Sequence, residues 1–288
     1  MKFYKYQGAG NDFLIADNRD GSIKLTEGQV AFMCDRRYGV GADGLMLLES
    51  PDNIAHEEES VKLPDFVMTY YNSDGSGGMM CGNGGRCIVA FAADMGITDF
   101  RFHAADGFHQ AEIISVDGNT KTVTLQMKDV GVFDRYDSLT GITIPSEGFF
   151  LDTGTHHYVR IVEGIDSYDV TGEGSDIRYN AAELQPIGAN VNFIEPSADG
   201  VLKVRTYEKG VEDETFACGT GIVASCIAAY KAGIRPSSVS GDHVAYDVKA
   251  KRDRLKVTFR PLDMVNRVAE DVYLTGPATF VAEITVVL

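Results

Sequence analysis

No run of apolar residues approaches the roughly 18 that a membrane-spanning helix needs. The opening MKFYKYQGAGNDF also lacks the apolar stretch and small-residue site of a secretory signal. Membrane insertion and secretion therefore find no support, and the expected location is cytoplasmic. Long basic runs are missing as well: the densest, Asp35-Arg36-Arg37 and Lys249 to Arg254, sit in a chain of formal net charge −16. Such a chain repels phosphate backbones, whose binding needs clustered Lys and Arg to displace counterions, so nucleic acid is not an expected partner. Cysteine is sparse. Cys34, Cys81, Cys87, Cys218 and Cys226 form neither the even set nor the dense framework of a disulfide-built scaffold. Cys81 and Cys87, like Cys218 and Cys226, are spaced too widely for zinc knuckles, and the adjacent His156-His157 lacks helical i,i+4 spacing. No metal site is expected.

What remains is ordinary globular material: 288 residues, 44% of them hydrophobic, predict about two domains with real cores. An internal repeat gives the domains their relation. Cys81-Gly-Asn-Gly-Gly-Arg-Cys-Ile-Val-Ala-Phe-Ala-Ala-Asp-Met-Gly96 matches Cys218-Gly-Thr-Gly-Ile-Val-Ala-Ser-Cys-Ile-Ala-Ala-Tyr-Lys-Ala-Gly233, 137 residues further on. Both read CGxG, then an Ala-rich helical stretch, then Gly. Downstream of the first copy, Ala111 to Val116, a turn at Asp117-Gly-Asn119 and Thr122 to Met127 alternate as a β-hairpin does; Val244 to Val248 and Lys256 to Phe259 follow the second. Upstream, Gly8 to Ile15 and Gly154 to Ile161 each set a glycine-led turn before an apolar strand.

Short strands are predicted over Lys2–Gln7, Phe13–Ala16, Gly44–Glu49, Phe66–Tyr71, Val191–Glu195, Leu202–Tyr207 and Val272–Leu274. Thr26-Glu-Gly-Gln29 has capping-box spacing and opens a helix expected to reach about Tyr38, with a counterpart near Asn180 to Leu184. Pro51 to Pro64, with His56-Glu-Glu-Glu59, reads as a solvated acidic loop. The fold class is α+β, in two similar lobes. The expected division is residues 1–130 carrying Cys81 and residues 131–276 carrying Cys218.

A cysteine at a helix start sits beside unpaired backbone N–H groups and partial positive charge, which bind anions and make a thiol reactive. Glycines around it leave those donors uncovered. Two lobes packed about a pseudo-twofold axis would face both helix starts onto one cleft, sulfurs on opposite sides. Inverting a Cα–H centre needs such a pair: one group removes the proton from one face and another delivers a proton to the other. The charge that develops on the adjacent carboxylate would meet N–H donors from Gly82-Asn83 and Gly219-Thr220.

Several further motifs lie in order along nearly the whole chain: Gly8-Ala-Gly-Asn-Asp-Phe13, Asp35 to Leu45, Tyr71-Asn-Ser-Asp-Gly-Ser76, Met80 to Cys87, Gly188-Ala-Asn-Val-Asn-Phe193 and Tyr207 to Gly221. Together with the repeat they resemble the diaminopimelate epimerases. The resemblance implies two pseudosymmetric lobes, each a mixed or antiparallel barrel-like sheet around a central helix, with a last strand, about 277–288, returning to the first lobe. It implies cofactor-independent interconversion of LL- and meso-2,6-diaminopimelate, which supplies lysine and peptidoglycan precursor, without pyridoxal phosphate. The expected small-molecule partner is thus a diamino dicarboxylate, and a homodimer is an expected assembly. Cys81 and Cys218 would be the acid/base thiols, with His157 and Glu208 holding their protonation states. Asn11, Asn72 and Asn190 would grip polar substrate groups, and Gly82, Asn83, Gly219 and Thr220 the reacting carboxylate.

Two positions depart from the family pattern. Thr155 stands where Asn is usual, and Lys209 where Arg is usual; Lys cannot reproduce a bidentate guanidinium grip. Both are expected to read the distal end of the substrate. Other features have bland readings. Gly39-Val-Gly-Ala-Asp-Gly44 matches GxGxxG but follows a helix and precedes a strand, the reverse of a dinucleotide site, and reads as a turn. Cys34, Cys87 and Cys226 read as packed small hydrophobes, and His103, His109 and His243 as surface or core histidines. Competing functional readings are a two-cysteine proline or hydroxyproline racemase, a thiol-redox protein, and a silent amino-acid-binding protein.

Overall fold

The computed structural model describes residues 1–53, 63–78, 80–131, 148–264 and 267–287. The acidic segment read as a solvated loop falls largely on 54–62, outside the described residues. The chain divides into two compact units, Met1–Leu125 with Gly276–Leu288, and Gln126–Thr275.

In the first unit the order is β1 (Lys2–Gly8), β2 (Asn11–Asp17), α1 (Glu27–Cys34), β3 (Gly44–Glu49), β4 (Phe66–Asn72), α2 (Gly82–Asp94), β5 (Arg101–Ala104), β6 (Gly107–Asp117) and β7 (Thr120–Gln126). In the second it is β8 (Val130–Gly131), β9 (Gly148–Asp152), β10 (His156–Ile161), α3 (Val170–Asn180), β11 (Asn190–Pro196), β12 (Leu202–Glu208), β13 (Asp213–Thr215), α4 (Gly219–Lys231), β14 (Ser238–Ser240), β15 (His243–Lys249) and β16 (Arg254–Met264). The final strand, β17 (Arg267–Thr285), contributes to both.

Each unit closes an eight-stranded barrel. In the first, β1-β2-β3-β4-β5-β6-β7 is completed by the end of β17, which pairs with β7 at Gly276–Thr279 and with β1 along Thr279–Thr285. In the second, β9-β10-β11-β12-β15-β16 is completed by the start of β17 and by β8. The pairings run in the same order in both: only the second and fourth, β2–β3 and β4–β5, then β10–β11 and β12–β15, are parallel. The eighth strand of each barrel is therefore the stretch of chain that follows the seventh strand of the other. Closure pairs every strand of each ring on both sides and so removes the rings' own edges; β13 and β14 lie outside the rings, paired with β12 and β15.

Inside each barrel lies one helix. From Gly82 to Ala92, α2 is buried on every side and touches β1, β2, β3 and β6; α4 is buried from Gly221 through Ala229 and touches β9 to β12 and β16. A helix without a solvated face belongs to an interior. Its Gly and Ala content keeps it thin enough for a barrel of this strand number. Among the described residues the other two α-helices cover outer faces: α1 packs Val30 and Met33 over Leu14, Leu45 and Leu47, while α3 packs Val170 and Ile177 against Phe193 and Tyr207. Among the described residues no helix is long and apolar enough to cross a membrane.

The two outer helices differ from expectation. Thr26 caps α1 through the complete capping box, but the helix stops at Cys34. The Asp35 carboxylate accepts the N–H groups of Arg37 and Tyr38, both at 2.7 Å, and Val40 and Gly41 turn back onto the Met33 carbonyl. The counterpart lies earlier than Asn180 to Leu184, which holds only a single 3-10 turn at Ala182–Leu184. Gly172 and Gly174 disguise α3 in the sequence; a side chain at Gly174 would collide with Tyr207.

Candidate active site

Cys81 is the N-cap of α2, in extended backbone, and its sulfur accepts the Gly84 N–H at 3.2 Å. Asn83, in the helix's first turn, donates from Nδ2 to Asn11 Oδ1 at 2.6 Å, and Asn11 donates in turn to Asp43 at 2.9 Å. Arg36 and Lys5 neutralise Asp43 and its neighbour Asp12. From inside the barrel, the wholly buried Arg86 donates to Asn83 Oδ1 at 2.8 Å and to the Gly82 carbonyl at 3.2 Å. The helix start is thereby fixed by charge behind it and amides beside it. Asn72 ends β4, where its side chain donates to Ser76 Oγ at 3.0 Å and closes its own turn.

The second unit repeats this plan with other chemistry. Cys218 is the N-cap of α4, only 8% exposed, and its sulfur lies 3.5 Å from Thr220 Oγ1. Thr220 occupies the place of Asn83, two residues past the cysteine, and His157 takes the place of Asn11. His157 Nε2 is 3.0 Å from Thr220 Oγ1 and 2.9 Å from Thr155 Oγ1, and the two hydroxyls are 3.1 Å apart. Burial, with His156 adding to it, depresses the His157 pKa to about 3, so the ring is neutral at ordinary pH.

Asn190 ties β10 to the turn after β12: its Nδ2 donates to the His156 carbonyl at 3.0 Å and its Oδ1 accepts the Lys209 N–H at 2.9 Å. The Lys209 ammonium caps the Ile187 carbonyl at 2.7 Å. Glu208 accepts from Thr215 Oγ1 at 2.8 Å, on the strand that leads into Cys218. Thr155, expected from sequence to face the distal substrate end, has its hydroxyl between His157 and Thr220.

Neither α2 nor α4 has an acidic residue in its first turn, so the positive end of each helix dipole is not cancelled there. Such helix starts hold carboxylates well. The remaining thiols are of another kind. Burial, then the nearby Asp12 and Asp43, pushes Cys34 up to about 11, and burial raises Cys87 and Cys226 further still. They remain inert thiols packed in apolar surroundings. None of the five cysteines is in a disulfide.

Sequence reasoning did not single out Arg86, Asp43, Asn192 or Gly221. A signal existed for Asn192: Asn190 and Asn192 alternate on one face of an otherwise apolar strand, where a buried amide must have partners.

Two closed barrels in one chain, each holding a helix capped by cysteine, define a class of duplicated two-lobed proteins. A hydroxyproline epimerase from Agrobacterium vitis, solved with trans-4-hydroxy-L-proline, has this fold: TM-score 0.64, 15% identity, with 98% of this chain and 91% of that one covered. Within the class, the chain belongs to the diaminopimelate epimerase family. The model of that family matches residues 3–131 and 149–281. A diaminopimelate epimerase of Flavobacterium psychrophilum is 39% identical over 289 residues, covering 99% of this chain and all of that one. One from Chlorobaculum tepidum is 41% identical over 285 residues, covering 98% and 99%.

Proposed function

We propose that this protein interconverts LL- and meso-2,6-diaminopimelate with its own side chains, Cys81 and Cys218 acting on opposite faces of the reacting Cα. The observation that carries the reading is that both cysteines cap equivalent helices, one in each barrel of a chain belonging to this family. In one direction a thiolate removes the α-proton while the other cysteine, as a thiol, donates to the opposite face; the roles exchange in reverse. Charge spreads from Cα into the carboxylate, where N–H groups of Gly82, Asn83, Gly219 and Thr220 stabilise it. His157 and Glu208 hold the thiols' protonation states. Asn11, Asn72, Thr155, Asn190 and Lys209 orient the substrate's polar groups. The product serves lysine and peptidoglycan synthesis, in the cytoplasm, and the enzyme works as a homodimer; fractionation and light scattering test these last two points.

Incubation of freshly reduced protein with LL-diaminopimelate in deuterium oxide tests the reaction. Chiral separation and mass measurement are expected to show meso product carrying one deuterium at the inverted carbon, without added pyridoxal phosphate. Cys81→Ala and Cys218→Ala should each abolish inversion. No exchange in the reduced wild type would overturn the reading, and so would turnover of proline or hydroxyproline in place of diaminopimelate.

A further inference from the structure

We propose that Asn192 is a positioning residue: it holds the neutral His157 imidazole as the Nε2–H tautomer, so that the hydroxyls of Thr155 and Thr220 turn their protons toward the sulfur of Cys218. This rests on the acid/base role of Cys218 proposed above. The hydrogen bonding fixes the orientation. Asn192 Nδ2 lies 3.1 Å from the Tyr158 carbonyl and 3.1 Å from His157 Nδ1, while its Oδ1 accepts from Thr206 Oγ1 at 2.9 Å. A carbonyl oxygen can only accept, so the amide must present its nitrogen there. The second N–H then points at His157 Nδ1, which must offer a lone pair. The single ring proton is on Nε2.

That assignment sets the direction of everything beyond it. Nε2–H donates to Thr155, 2.9 Å away; Thr155 donates to Thr220 across 3.1 Å; Thr220 donates to the Cys218 sulfur at 3.5 Å. Each hydroxyl has one proton to give. With Nε2–H as the first donor, the series ends on sulfur and favours the thiolate. The other tautomer would expose a lone pair at Nε2, draw a hydroxyl proton toward the ring and turn the series around.

Space for this pair has been left in the helix. A Cβ on Gly221 would collide with Asn192 Oδ1 and lie 3.2 Å from the His157 ring. A Cβ on its counterpart Gly84 would have as its nearest neighbours the Cys81 sulfur at 3.3 Å and flexible methionine ends, Met46 Sδ at 3.4 Å and Met68 Cε at 3.6 Å. Asn192 and His157 are both fully buried. Among the described residues, the ring's hydrogen-bond partners are Asn192, Thr155 and Thr220, with the Gly221 backbone beside it, and none of these four is titratable. His156 on the same strand is the ionisable group that acts on it directly, and Cys218 is reached through Thr220.

The test is the two-bond proton–nitrogen correlation spectrum of full-length protein labelled with 15N-histidine, between about pH 6 and 8. The His157 signals are identified by their loss in His157→Gln. Expected is a protonated Nε2 and a bare Nδ1 in the wild type. In Asn192→Asp the new carboxylate should move a proton onto Nδ1. It should also lower kcat for α-hydrogen exchange roughly 10–100-fold with KM within about twofold, and introduce a histidine-like ionisation into the pH profile. A wild-type ring bare at Nε2 or doubly protonated would overturn the proposal, as would Asn192→Asp with unchanged kcat and pH profile. Nε2–H in a wild type that never turns over diaminopimelate would support the tautomer while removing the activity reading.

Discussion

Arg86 Nη2 donates to Asn83 Oδ1 at 2.8 Å with the guanidinium wholly buried, and at the matching place in the second copy stands Val223. The two barrels thus steady the same helix start by different means. One uses a buried cation; the other uses a neutral imidazole held by an amide.

Arg86→Met keeps an unbranched apolar stem, shorter than the arginine, and removes the donors that Asn83 Oδ1 and the Gly82 carbonyl accept from. Each buried acceptor left unsatisfied costs about 1–3 kcal/mol, and we expect a net loss of about 2–4 kcal/mol. Urea unfolding followed by circular dichroism measures it; an unchanged midpoint would show that water or another donor replaces the guanidinium.

The depressed pKa of His157 makes stability depend on pH with a definite sign. Between the folded value of about 3 and the ordinary value of 6.5 the unfolded chain binds a proton that the folded chain does not. Stability contributed by the neutral ring is therefore present above that window and is lost as pH falls through it, at about 1 kcal/mol per pH unit near its middle. Unfolding midpoints of wild type and His157→Gln, compared from neutral pH downward, should converge as the wild type loses more. Parallel curves would rule this out.

The second glycines of the two CGxG motifs should respond unequally to the same change. At Gly221 a methyl group meets Asn192 and the His157 ring; at Gly84 it meets movable sulfur and methyl ends. Gly221→Ala should cost about 1–3 kcal/mol as overpacking does, and Gly84→Ala clearly less. Thermal melts of the two variants side by side decide it.

Alkylation should sort the cysteines by environment. Iodoacetamide at mildly alkaline pH, followed by peptide mapping, is expected to mark Cys81 first, since it is the more exposed of the helix caps. Cys34, Cys87 and Cys226, buried and raised in pKa, should react only after denaturation. Early labelling of Cys87 would contradict the packing described for α2.

Much of the fold could be read from residues because pattern and local chemistry coincided. Gly44–Glu49 is a strand over its full predicted length, and Thr26 caps α1 with both halves of its box in place. Both cysteines cap helices, as the CGxG context foretold. What stayed hidden depends on partners distant in sequence. The α3 helix contains two glycines that lower its intrinsic propensity, and packing against Phe193 and Tyr207 overrides them. β17 looked like a three-residue strand at Val272–Leu274 because Gly276-Pro277 interrupts the pattern; pairing with β7 and β1 carries it through. At the site, the neutral state of His157 is a property of its burial, and the meaning of Asn192 comes from a contact across neighbouring strands.

Exchange of the eighth strands gives the chain a property that neither barrel has alone. A fragment ending where the first compact unit first breaks off, at Leu125, would hold seven staves and a gap, with the missing stave encoded near the other terminus. The fragment that remained would lack its own stave, Val130–Gly131, as soon as the cut moved past it. Division of labour between the lobes is thus written into the connectivity: a truncation at the far C-terminus is damage to the barrel that carries Cys81.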